Sequence, residues 1–104
     1  MSDVLAQAHK WSERGDHVAL ATVIDTRKSA PLPPGSKMAI SSTGDVVGAV
    51  SGGCVEGAVV EVAEEILGGA DPRLLHFGIA DSDAWEVGLP CGGEIDVFVE
   101  RYEP

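Results

Sequence analysis

Each of the two cysteines in this sequence sits among glycines: Cys54 within VSGGCVEG (Val50 to Gly57) and Cys91 within GLPCGG (Gly88 to Gly93). The first stretch runs from an apolar strand-like segment through Ser51, Gly52 and Gly53 into a helical pattern. Backbone N–H groups at Gly52, Gly53 and Cys54 then point outward at the positive end of a helix, where a phosphate or a thiolate is stabilised. A cysteine in that position has a depressed pKa and carries more thiolate at neutral pH. A plainer reading stands beside it, in which Gly52-Gly53 is a tight turn with Ser51 as N-cap and Cys54 is a small buried hydrophobe. Glu56, in the first helical turn, is placed to restrain the glycine loop by a capping bond. At the second site Pro90 fixes the backbone before Cys91, and Gly92 and Gly93 leave room for a large ligand.

Several familiar chemistries do not fit these residues. No Gly-Lys-Ser/Thr follows the glycines, as a phosphate-cradling P-loop requires, and GGCVEG does not match the dinucleotide pattern GxGxxG. The cysteines are too far apart in sequence for a CxxC redox pair, and neither has a His or Cys neighbour at zinc-ligand spacing. A GxSxG nucleophile elbow is missing too, since Ser51 stands in VSGG. His76 falls in mid-strand as a packed or surface residue, while His9 and His17 are expected to be exposed. Glu56, Glu61, Glu64 and Glu65 read as a solvated helix face.

The elements that must position the glycine–cysteine segments follow from periodicity. Val4, Leu5, Ala8 and Trp11 recur at helical spacing from Asp3 to Arg14, and Gly15-Asp16 stops the pattern. HVALATVI (His17 to Ile24) is apolar at both parities and β-branched, which predicts an interior strand covered on both faces. RKSAPLPPGS (Arg27 to Ser36) has three prolines and forms a loop or crossover. Lys37 to Ile40 and Val46 to Val50 pair as a hairpin through Gly44-Asp45. From about Val55 to Leu67, Val55, Ala58, Val59, Val62, Ile66 and Leu67 share one helical face, and Gly68-Gly69 end it. Arg73 to Ala80 is a strand, DSDAWEVGLPCGG a long loop, and EIDVFVERY a strand in which Ile95, Val97 and Val99 alternate with polar residues. The expectation is one α/β domain: a mixed β-sheet, an N-terminal helix, and a helix following the SGGC loop.

Size and charge bound the rest. A chain of 104 residues forms one domain with a modest core. Hydrophobic residues are 44% of it but aromatics only 5%, so Val, Ala, Leu and Ile must build that core. Seven Lys+Arg against 17 Asp+Glu give a formal net charge of −10, which disfavours nucleic acid and anionic membrane as partners. No apolar run approaches the ~20 residues of a membrane span, and the N-terminus lacks a signal-peptide layout. A cytoplasmic location is therefore expected, with the cysteines as free thiols.

Three blocks, SAPLPPGSKM, GAVSGGCVEGAVVEVA and LLHFGIADSDAWEVGLPCGGEIDVFVE, together resemble the N-terminal domain of the XdhC/CoxI family over about Ala19 to Glu100. That resemblance implies an accessory protein for xanthine dehydrogenase, carbon monoxide dehydrogenase and related molybdenum hydroxylases. Such a protein binds molybdenum cofactor (molybdopterin) as cargo, supports its sulfuration and passes it to the apoenzyme. On this reading Ser51, Gly52, Gly53, Cys54, Glu56, Pro90, Cys91, Gly92 and Gly93 form the cofactor-binding set, with no catalytic residue. The terminal phosphate suits the Gly52-Gly53 helix start, and Cys54 and Cys91 serve as soft thiols near the molybdenum. Both cysteines should then open onto a common cleft. Longer members resembling this chain carry a C-terminal Rossmann domain, which is not expected in a chain that stops at Pro104. The expected partners are an apo molybdenum hydroxylase, a cysteine desulfurase, a Rossmann-domain partner chain and further copies of the chain as a homo-oligomer. Two other classes compete: a thiol-dependent sulfurtransferase or oxidoreductase using Cys54, and a docking subunit that works through its acidic surface without a small-molecule ligand.

Overall fold

A computed structural model describes residues 3–27, 32–50, 55–77 and 94–103. Helix α1 (Asp3–Glu13) leads into the long strand β1 (Val18–Arg27). The hairpin β2 (Lys37–Ser41) and β3 (Val46–Gly48) follows, then helix α2 (Glu56–Leu67), β4 (Arg73–Phe77) and β5 (Glu94–Arg101). The strands form a five-stranded sheet in the order β3-β2-β1-β5-β4, so β1 is central, as its two-faced apolarity predicts.

The class is α/β, and the sheet is antiparallel in every described pairing where a mixed one was expected. The cause lies in the α2 connection. It carries the chain from β3 at one edge to β4 at the other, and the two strands run in the same direction but with β2, β1 and β5 between them. A crossover that usually makes a parallel pair therefore makes none here.

Helices cover both faces. Ala19, Ala21 and Val23 of β1 turn to one side with Ile95, Val97 and Val99 of β5, and bury Val59, Ala63 and Ile66 of α2. On the other side Val18 and Leu20 pack with Ala39 against Ala8 and Trp11 of α1. Ile24, expected to be covered, is 52% exposed. A bulge between Val23 and Asp25 displaces it from the ladder. In addition, α1 has 11 residues, about 16 Å, too short to follow a strand of 10 residues that spans roughly 33 Å.

The stops are glycine motifs. Gly15 has φ 101°, with Gly15 N–H donating to Ser12 O (3.0 Å) and Asp16 N–H to Trp11 O (3.0 Å). Gly69 repeats the pattern after α2, with φ 116° and bonds from Gly69 to Ile66 O and from Ala70 to Glu65 O, both 3.0 Å. Both ends are Schellman closures, and a left-handed residue there favours glycine. Arg101 adds a cation at the negative end of α2, donating to Ile66 O (3.4 Å) and Leu67 O (3.3 Å). Strand β3 stops at Gly48, short of the expected Val50. Gly48 has φ 84°, and a Cβ there would overlap the Lys37 carbonyl and the Val4 side chain.

Candidate functional site

Ser51, Gly52, Gly53, Cys54, Pro90, Cys91, Gly92 and Gly93 lie outside the described residues, and so does the common cleft expected for the two cysteines. The described residues give the placement of their flanks. Val50 and Val55, on either side of segment 51–54, are both buried in the core with Val23 and Ile95. A direct bond joins these flanks: Val50 N–H donates to Glu56 Oε2 at 2.9 Å. Glu56 is the first residue of α2, whose N-cap, Val55, offers no side-chain hydrogen bond. The capping bond expected from Glu56 is replaced by this contact with Val50, six positions back in the sequence, and segment 51–54 itself lies outside the described residues.

The flanks of the proline-rich, SGGC and GLPCGG segments meet at the same end of the sheet. Register pairs Arg27, the end of β1, with Glu94, the start of β5, and Phe77, the end of β4, with Ile95. Lys37 opens β2 there, its carbonyl accepting from Ala49 N–H at 3.2 Å. The start of α2 belongs to this end, because its other terminus is held by Arg101, which pairs with Ala19 at the opposite end of β1. Topology alone therefore gathers these three sets of flanks.

On the face away from α2, this end carries polar groups that sequence reasoning did not assemble. His76 Nδ1 donates to Asp96 Oδ1 at 2.6 Å, and its Nε2 lies 3.7 Å from Glu94 Oε1. Lys37 Nζ donates to Thr22 Oγ1 at 3.3 Å. His76 is thus oriented by one carboxylate and lies near another. The alternation in RLLHF and EIDVFVER places His76, Glu94 and Asp96 at like parity. The register that brings His76 opposite Asp96, however, is not a local property of either strand.

A second polar cluster lies at the far end and ties turns together. Arg14 Nε donates to Asp16 Oδ2 (2.8 Å) and its Nη2 to Asp45 Oδ2 (3.0 Å). Ser41, buried, donates to Asp16 Oδ2 (2.8 Å) and accepts from Thr43 N–H (3.1 Å). The Arg14 hydrogen bond, followed by that from Ser41, holds the Asp16 carboxyl below its ordinary range. A cavity lined by Ser41, Ser42, Thr43, Gly44, Glu64 and Leu67 sits beside this cluster, away from the glycine–cysteine end. Hydroxyls there are engaged within the cluster, so the arrangement closes the fold rather than presenting donors to a ligand. Among the described residues no group of three or more His, Cys, Asp or Glu side chains is placed to hold a metal ion, and no helix is long and apolar enough to cross a membrane.

The five-stranded antiparallel sheet lies between two helices, an arrangement this chain shares with a solved relative. The family model of the XdhC and CoxI family matches residues 11–78, and the chain belongs to that family. It is 34% identical over 97 residues to the uncharacterized protein YqeB of Escherichia coli K12, covering 93% of this chain and 18% of that one. It is 34% identical over 88 residues to the molybdenum cofactor insertion chaperone PaoD of the same organism, covering 84% and 27%. With a probable xanthine dehydrogenase subunit of Bacillus subtilis it shares 30% over 91 residues, covering 86% and 28%. The fold matches the crystal structure of a xanthine dehydrogenase (BH1974) from Bacillus halodurans, with a TM-score of 0.78 at 27% identity over 99% of this chain and 31% of that one. The chain thus spans less than a third of the length of these relatives.

Proposed function

We propose that this chain binds molybdenum cofactor as cargo and takes part in its delivery to an apo molybdenum hydroxylase of the xanthine or carbon monoxide dehydrogenase type. It acts as a cofactor chaperone and not as a catalyst. The observation that carries the reading is the Glu56 carboxylate on Val50 N–H (2.9 Å), which joins the start of α2 to the residue that precedes the SGGC segment. Segment 51–54, expected at the positive end of α2, suits the cofactor phosphate, and cysteine thiols suit its metal and dithiolene sulfurs. Membership of the XdhC and CoxI family, and likeness to an insertion chaperone, support this choice over the other classes. Cys54 and Cys91 are the soft neighbours, with Ser51, Gly52, Gly53, Pro90, Gly92 and Gly93 shaping the backbone around them.

Metal analysis and pterin fluorescence of protein purified from cells that make the cofactor test the reading. Molybdenum and pterin should co-purify in equal amounts and be lost in Cys54→Ser. A pterin-free protein that turns over a sulfur donor through Cys54 would instead make it a sulfurtransferase. Cofactor-free protein that nonetheless captures the apo hydroxylase would make it a docking subunit.

A further inference from the structure

The two edges of the sheet are treated differently by the sequence. Strand β3 has three residues and ends in a glycine of positive φ, both of which discourage another strand from pairing there. Strand β4, RLLHF, has neither proline nor glycine, and no carboxylate stands between Asp71 and Asp81 in a chain of net charge −10. Its one full cation, Arg73, is drawn back to Glu65 Oε1 at 2.6 Å. Among the described residues β4 pairs only with β5, and Leu74 is 61% exposed. Helix α2 lies over β1 and β5, which leaves Leu75 and Phe77 half-buried at the margin of the core.

We propose that the outer edge of β4 pairs with β4 of a second copy of this chain, antiparallel about Leu75, to make one continuous sheet across a two-fold axis. Antiparallel pairing centred on Leu75 is self-complementary, as an isologous interface must be. On the α2 face it sets Leu75 against its own copy and places each Arg73 beside Phe77 of the other chain, a cation against an aromatic ring. On the opposite face each exposed Leu74 meets His76 of the other chain. Directly opposed side chains in such a ladder have Cβ atoms about 4.5–5.5 Å apart, so two apolar groups at the axis bury each other. The strand itself carries no carboxylate, and the neighbouring Glu65 and Asp96 are engaged by its Arg73 and His76, which limits the repulsion between two copies of an acidic chain along this edge.

Sedimentation equilibrium of the full chain across the micromolar range tests the proposal. The wild type should show twice the monomer mass of 10.8 kDa. Leu75→Lys, which sets two like charges against each other at the axis, should halve the mass while far-UV circular dichroism stays unchanged. Val46→Lys, on the other edge, should leave the dimer intact. A monomeric wild type, or a dimer lost with Val46→Lys but kept with Leu75→Lys, overturns the proposal. Should Leu75→Lys fail to fold, Leu75→Cys with Cys54 and Cys91 replaced by serine reads the same contact. A short bismaleimide cross-linker must then give a covalent dimer, and its absence also overturns the proposal.

Discussion

Replacing Glu56 by alanine tests how the glycine–cysteine segment is held. Val50 is fully buried, and its N–H donates to the Glu56 carboxylate at 2.9 Å. Removing the acceptor leaves a buried donor unmatched, which costs about 1–3 kcal/mol, toward the upper end for a bond to a charged group. Loss of a carboxylate from the first turn of α2 adds about 0.3–1 kcal/mol through the helix dipole. The sum is on the order of 2–3 kcal/mol, which for a domain of this size lowers Tm by roughly 10–20 °C. Glu56→Gln keeps an acceptor in place and loses only the charge, so its cost should be about 1 kcal/mol. Urea unfolding followed by circular dichroism gives both values. If Glu56→Ala lies within about 0.5 kcal/mol of the wild type, a range typical of inconsequential surface changes, the bond does not anchor the start of α2.

Three further outcomes follow from named contacts, and a fourth from the SGGC helix start. Ser41→Ala removes the buried hydroxyl that serves Asp16 and the Thr43 N–H, and should lower stability by about 1–3 kcal/mol in the same assay. The Asp16 carboxyl is held below its ordinary value of 3.8 by Arg14, so its contribution is present in full above pH 3.8 and is lost as pH falls through the lower folded value; acid titration of Asp16→Asn should lack that part of the wild-type fall. Gly48→Ala forces a side chain into positive φ and against the Lys37 carbonyl, with an expected loss of at least about 1–3 kcal/mol by thermal melting. At neutral pH Cys54 should be alkylated faster than Cys91, measured by mass spectrometry of peptides, because only Cys54 is expected at a helix start; equal rates would remove that assignment.

Much of this fold is legible from local pattern. The two-faced apolarity of HVALATVI predicts the central strand, and the helical face of Val59, Val62 and Ile66 predicts α2 to within a residue. Gly15 and Gly69 mark helix ends for a reason that belongs to one residue, its freedom at positive φ. What escaped depends on partners distant in sequence. Insertion of β5 between β1 and β4 decides that the sheet is antiparallel, and nothing in the α2 connection announces it. The same pairing sets His76 against Asp96, 20 positions away. Ile24 looks like a core residue until the bulge and the short reach of α1 are known. Within the candidate site, a local role for Glu56 in the first turn of α2 is legible, but its partner, Val50 six positions back, is not. The placement of the SGGC and GLPCGG flanks at one end of the sheet required the topology.

Molybdenum cofactor bound selectively by the folded chain must raise its stability. Anaerobic titration of the protein with isolated cofactor, followed by thermal unfolding, measures this directly. At a hundredfold excess over Kd the gain should be about 2.7 kcal/mol, which raises Tm by roughly 10 °C or more, and the gain should shrink in Cys54→Ser. An unchanged Tm at saturating cofactor, in protein that unfolds cooperatively, would show that the folded chain does not carry it.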